Sequence, residues 1–292
     1  MFDGFEERTL PGAGAGVFAR LGGRRGAPPL LLLHGYPQTG AMWHRVAPRL
    51  ADCFELVVPD LRGYGRSGQA PDEADHAQMS KRAMAGDLLA AMDALGHGRF
   101  LVAAHDRGAR VAHRLAMDAP DRVGALLVLD IAPTREMLQG TNRAFAETYW
   151  HWFFLTRPAP LPERMIGADP EGYWRAKCIA QAGGDPFAPE AMAEYLARWT
   201  PEAIHASCED YRAAASIDVA HDDADGAARL PMPLRVLWAE RGAVGRCFDP
   251  LALWRLRAER VEGRAVAASH FMAEEIPEEV AGEIARFLLP QA

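Results

Sequence analysis

The chain has 292 residues, 49% of them hydrophobic and 24% charged, which is the composition of a soluble globular protein large enough to bury a site. Its formal net charge of -7 disfavours non-specific nucleic-acid binding and gives no long-range attraction for an anionic ligand, so any anion site must be made locally. The longest aliphatic run, Leu30 to Leu33, is far too short to cross a bilayer, and Met1 to Glu7 has neither the basic flank nor the apolar stretch of a secretory signal. These features predict a cytoplasmic protein with no membrane partner.

In chain order, Leu30–Leu33 and Glu55–Asp60 are short apolar runs closed by turn-forming groups, as buried parallel strands are. Phe100–Ala104, Ala125–Leu129 and Leu234–Trp238 repeat the pattern, and helical spacing runs from Met79 to Leu95 and from Arg107 to Met117. Alternation of this kind predicts an α/β fold with a mostly parallel, doubly wound sheet. From about Arg135 to Asp223 the sequence turns to aromatic-rich helical segments, predicting a helical cap over 135–223 inserted into a core of 1–134 and 224–292. Such a cap would roof the carboxyl ends of the strands, where open α/β sheets bind ligands. Cys53, Cys178, Cys208 and Cys247 are scattered with no C-x-x-C pair, which reads as reduced structural thiols and no zinc knuckle.

Ala104-His105-Asp106-Arg107-Gly108 follows a predicted strand and opens a predicted helix, with small residues two positions either side of Asp106. That is the spacing of a nucleophile elbow, where the attacking side chain sits on a sharp strand-to-helix turn. A carboxylate there is ionised at neutral pH and can attack a carbon bearing a leaving group to form an ester, which makes halides and epoxides plausible substrates. As a lone aspartate Asp106 would read as a helix cap. His34-Gly35-Tyr36-Pro37, directly after the first long apolar strand, tips the balance, because that loop supplies an oxyanion-hole amide in this architecture; the backbone amides of Tyr36 and Arg107 are the candidate donors.

Ser269-His270-Phe271 follows a short predicted strand, Arg264–Ala267, and His270 fits a general base that activates water against the Asp106 ester. Asp130, ending the Ala125–Leu129 strand, is the favoured acid to orient His270, with Glu240 and Asp249 as alternatives after the next strand. No metal or organic cofactor is expected, since protein groups supply every role. Tyr64, in the glycine-rich stretch Arg62 to Gly68, reads as structural because the Gly-Lys-Ser/Thr ending of a phosphate loop is absent.

The run His105 to Arg114, with His34-Gly35-Tyr36-Pro37, His151-Trp152, Asp210-Tyr211-Arg212 and Ser269-His270-Phe271, closely resembles the fluoroacetate dehalogenases of the α/β-hydrolase superfamily, over nearly the whole chain. The resemblance implies that Arg107 and Arg110 bind a substrate carboxylate, that His151, Trp152 and Tyr211 form a halide pocket, and that the protein is a homodimer acting on a small haloacid. Charge-assisted bonds from two arginines would aim the α-carbon at Asp106, and three donors suit a compact departing fluoride. Arg114 reads as a solvated helix-surface residue, and Tyr149, Trp150 and Phe153 as cap packing. The loop and elbow alone also suit epoxide hydrolases and haloalkane dehalogenases, and a non-catalytic receptor for a small acid is the reading from a different class.

Overall fold

A computed structural model describes residues 1–292. Eight strands form one sheet: β1 Glu6–Leu10, β2 Val17–Gly23, β3 Pro29–Leu33, β4 Glu55–Pro59, β5 Phe100–His105, β6 Val123–Leu129, β7 Leu230–Ala239 and β8 Ala258–Val266, in the order β1-β2-β4-β3-β5-β6-β7-β8. β1 and β2 are antiparallel, and every pairing from β4 across to β8 is parallel. The central strands β5 and β6 are buried at every position, which is why they read as unbroken apolar runs.

The sheet contains one strand pair that the sequence did not announce, and one expected strand has a different start. The antiparallel pair β1–β2 was not legible in the sequence, because most of β1 is exposed and carries Glu6, Glu7 and Arg8. The last strand begins six residues before Arg264, since β8 is an edge strand whose Glu259, Arg260 and Glu262 interrupt the apolar signal.

Helices α1 Lys81–Ala94 and α2 Asp106–Asp118 pack side by side against the sheet. Between β6 and β7 come eight helices: α3 Thr134–Gln139, α4 Arg143–Thr148, α5 Trp150–Leu155, α6 Leu161–Ala168, α7 Pro170–Ala182, α8 Pro189–Arg198, α9 Pro201–Ala215 and α10 Ile217–Asp225. Three of the eight start on a side-chain cap, from Asn142, Asp169 and Thr200. Thr200 accepts from the Ala203 amide with Pro201 at the first helical position of α9, and Asp169 and Pro170 do the same for α7. No helix is long and apolar enough to cross a membrane.

Register decides what meets at the carboxyl edge of the sheet. Leu33 pairs with Ala104, His105 with Leu129, Leu129 with Leu237, and Ala239 with Val266. The loops that follow β3, β5, β6 and β8 therefore open side by side, and they carry Tyr36, Asp106, Asp130 and His270.

Candidate active site

Asp106 turns the chain from β5 into α2 with φ +42°, a left-handed conformation that is strained for a residue with a side chain. The turn closes only because its neighbours are small. A Cβ on Gly108 would run into the His34 carbonyl oxygen, which instead accepts the Gly108 amide at 2.9 Å, and a Cβ on Gly35 would lie 2.7 Å from that of Asp106. Asp106 is 3% exposed, and its Oδ2 accepts the Tyr36 amide at 3.1 Å. The Arg107 amide belongs to the first turn of α2, where N–H groups have no acceptor within the helix. Burial raises the Asp106 pKa, but His270, His105, Arg110 and Lys177 together outweigh it and hold the carboxyl far below its ordinary range.

Asp130 also has positive φ, +48°. Its two oxygens are divided between two tasks: Oδ1 accepts the Ala239 amide at 3.0 Å, and Oδ2 accepts His270 Nδ1–H at 2.7 Å. The Nε2 of His270 then points at Asp106 Oδ2, 4.0 Å away. Of the three acids weighed for this position, only Asp130 bonds the histidine; Asp249 caps the short helix Pro250–Arg255 through the Ala252 amide, and Glu240 is exposed. His105, whose role the sequence did not suggest, is held at a pKa of about 3 by burial and then by His270, so it is neutral and donates Nε2–H to the His270 carbonyl at 2.8 Å.

Arg107 and Arg110 project from one turn of α2 into the space under the insertion, and both are buried. Arg107 is anchored by Asp210 of α9, which accepts Nε at 3.0 Å and Nη2 at 2.5 Å, and its guanidinium lies 4.2 Å over the Tyr211 ring. Asp210 also bonds Lys81 and accepts the Tyr64 hydroxyl at 2.7 Å, so Tyr64 belongs to the support of this arginine. Burial raises the Asp210 pKa, yet Arg107 and Lys81 hold it at about 2. Arg110 donates Nη1 to the Ala132 carbonyl and to Thr134 Oγ1 and stacks 4.6 Å over Trp152; burial and then Arg107 lower its pKa to about 10.

The expectation for Arg114 fails. It is 4% exposed and paired with Asp225 of α10 at 2.6 Å and Asp118 at 3.3 Å, because α2 is covered along its length.

His151 and Trp152 of α5 meet Tyr211 of α9: the Tyr211 ring is 5.8 Å from the His151 ring and 6.3 Å from that of Trp152. His151 is driven well below its ordinary pKa by burial, then by Lys177, so it is neutral. Tyr149, expected only to pack, stands edge-on to Trp152 at 5.8 Å and to His270 at 6.4 Å. Tyr149 is the turn residue between α4 and α5, so no helical spacing in the sequence pointed to its place beside Trp152.

Five polar atoms of this cluster have no hydrogen-bond partner within the protein: Arg107 Nη1, Arg110 Nε, Trp152 Nε1, Tyr149 Oη and Tyr211 Oη. Buried donors are nearly always satisfied, so a group of unpartnered ones on residues that pack together near Asp106 can take an acceptor that arrives from outside. An ionised carboxylate, an amide donor beside it and an imidazole paired to a second acid can together form an ester and hydrolyse it.

The profile of the α/β-hydrolase fold family matches residues 28–178. A fluoroacetate dehalogenase of Burkholderia sp is 41% identical over 99% of this chain and 95% of its own length. A soluble epoxide hydrolase of Corynebacterium sp. (strain C12) is 31% identical over 90% of each. Among solved structures, an α/β-hydrolase-fold protein of Nostoc sp PCC 7120 superposes with a TM-score of 0.95 at 49% identity, covering 99% of both chains. With its eight-stranded, mostly parallel sheet and a site at the carboxyl edge, the chain belongs to the α/β-hydrolase fold family of enzymes and is similar over nearly its whole length to a fluoroacetate dehalogenase.

Proposed function

We propose that this enzyme removes halide from small haloacetates, converting fluoroacetate to glycolate and fluoride, with residues 135–223 acting as a cap over the site. The observation that carries the reading is the group of unpartnered buried donors on Arg107, Arg110, Trp152 and Tyr211, facing a carboxylate kept ionised. In this reading Arg107 Nη1 and Arg110 Nε take the substrate carboxylate and turn its α-carbon toward Asp106. Asp106 attacks that carbon with inversion while the carbon–halogen electron pair leaves with the halide, whose growing charge is met by His151, Trp152 and Tyr211.

The ester is then hydrolysed. His270 Nε2 takes a proton from water, the hydroxide adds to the Asp106 carboxyl carbon, and the oxyanion is held by the Tyr36 and Arg107 amides. Collapse releases the hydroxy acid and the Asp106 carboxylate, and the proton left on His270, stabilised by Asp130, passes to solvent.

One observation favours a second reading. Tyr149 joins Tyr211 as a buried phenol without a partner, and a pair of cap phenols is what an epoxide hydrolase needs to protonate an opening ring. Two buried guanidiniums have no task in that reaction, which is why the haloacid reading is preferred.

The test is halide release from fluoroacetate and chloroacetate by wild type and Asp106→Asn, with mass analysis of His270→Asn after exposure to substrate. Asp106→Asn is expected to lose at least about 10³-fold in rate, and His270→Asn to carry a carboxymethyl ester on Asp106. Opening of a small epoxide by a wild type that releases neither halide would overturn the proposal in favour of the second reading.

A further inference from the structure

Lys177 of α7 is 5% exposed and has no carboxylate partner. Its ammonium lies 4.9 Å from the Tyr36 ring centroid and 5.7 Å from that of Phe271, and its one hydrogen bond runs to the Tyr36 carbonyl at 3.4 Å. A buried charge is costly unless matched, and cation–π contact offsets only part of that cost. Both rings belong to the site, since the Tyr36 amide binds Asp106 and Phe271 follows His270.

On its other side Lys177 lines a cavity of about 560 Å³ at the seam between the insertion and the loop after β7. His151 forms part of the same wall, and Arg241, Arg246 and Glu147 supply the remaining charge. Glu147 is engaged by Arg143 at 2.6 Å and Arg241 by Glu275 at 2.7 Å. Lys177 and Arg246 are therefore left as cations without a counter-ion, in a chain whose net charge of -7 repels anions at long range. Lys177 also acts electrostatically on Asp106 and on His151, so its charge is felt inside the site.

We infer that this cavity is the anion port of the site, with Arg246 at its mouth and Lys177 as the relay that hands monovalent anions between the cavity and the Arg107–Arg110 pair. The inference rests on the haloacid reading above. The anion is a carboxylate on the way in and a halide on the way out, and a cation in the wall that the cavity shares with the site serves both.

The experiment compares wild type with Lys177→Met, Lys177→Arg and Arg246→Leu, measuring kcat and kcat/KM for chloroacetate across ionic strength, inhibition by bromide, and binding of acetate by tryptophan fluorescence. Lys177→Met is expected to lower kcat/KM on the order of 10-fold at low salt and to flatten the salt dependence, with Lys177→Arg restoring most of the loss and Arg246→Leu giving a smaller fall in the same direction. Loss of kcat/KM reports the entering carboxylate, and weaker bromide inhibition reports the leaving halide; either supports the port. Unchanged kcat/KM, salt dependence and bromide inhibition in folded Lys177→Met and Arg246→Leu would overturn it. Acetate binding separates the two proposals: a wild type that binds acetate in a Lys177-dependent way but releases no halide keeps the port and loses the dehalogenase reading.

Discussion

On the sheet side of the site the groups proposed to react are held by bonds already made. Asp106 accepts the Tyr36 amide, Asp130 is shared between Ala239 and His270, and His105 holds the His270 backbone. On the insertion side Tyr149, Trp152 and Tyr211 keep a polar atom free inside a packed aromatic cluster. Under the proposed mechanism the difference is a division of labour: the strand ends fix the groups that would make and break bonds, while Arg107, Arg110 and the inserted helices carry the free donors that would meet the ligand. On that mechanism, changing the inserted helices would alter what is bound, and changing the strand ends would alter whether anything reacts.

The comparison breaks most visibly at Asp130. Asp130→Asn keeps an oxygen for Ala239 but turns an amide donor toward His270 Nδ1, favouring the wrong tautomer, and is expected to slow ester hydrolysis about 10³–10⁴-fold. Rapid-quench kinetics should then show an initial burst of halide followed by near arrest; steady turnover at the wild-type rate would mean that the sheet side is less committed than its bonds suggest.

Asp210 tests the boundary between the two regions, because it is an insertion residue that fixes a sheet-side arginine. Asp210→Asn leaves the buried Arg107 with a neutral partner and Lys81 with Asp218 alone, 3.5 Å away, and removing one member of such a buried network costs about 3–5 kcal/mol. A lower urea midpoint together with a raised KM for haloacetate is expected, and an unchanged midpoint would show that Arg107 does not depend on it.

Trp152→Phe removes one free donor while keeping the ring. A loss of about 10²-fold in kcat for fluoroacetate, and a smaller one for chloroacetate, is the expected outcome, since the more compact halide relies more on donors. Equal losses for both substrates would point to packing as the role of this indole.

The smallest effect concerns how the two regions are latched. Glu274, 1% exposed, accepts the Tyr195 hydroxyl of α8 at 2.5 Å and the Gln38 amide at 3.2 Å, and burial pushes its pKa up to about 7. A carboxyl whose folded pKa is raised binds more protons in the native state than in the unfolded chain, so its contribution is full below about pH 4.5 and is lost as pH rises toward 7. Glu274→Gln should flatten that part of the stability profile by up to about 3 kcal/mol, read as the difference in urea midpoints between pH 4.5 and 7; parallel profiles for the two proteins would rule the latch out.

The elbow around Asp106, the apolar strands and the interrupted, aromatic-rich insertion were legible in the sequence because each is a local signal: a backbone turn that only small neighbours permit, a buried strand, a change of period. Local pattern also nominated Asp130 and His270, yet it left Glu240 and Asp249 as rivals, since strand register, which brings Leu129 beside Leu237, depends on pairings between distant segments. The same limit hid the burial of Arg114, the anchoring of Arg107 by Asp210 across 103 residues, and the placing of Tyr149 and Lys177 at the site. Sequence by itself determined which chemical groups this protein owns and the local turns that present them. Tertiary structure alone decided which of those groups lose water and which keep a free hydrogen bond, because desolvation and partner geometry are set by what packs from the far side of the chain.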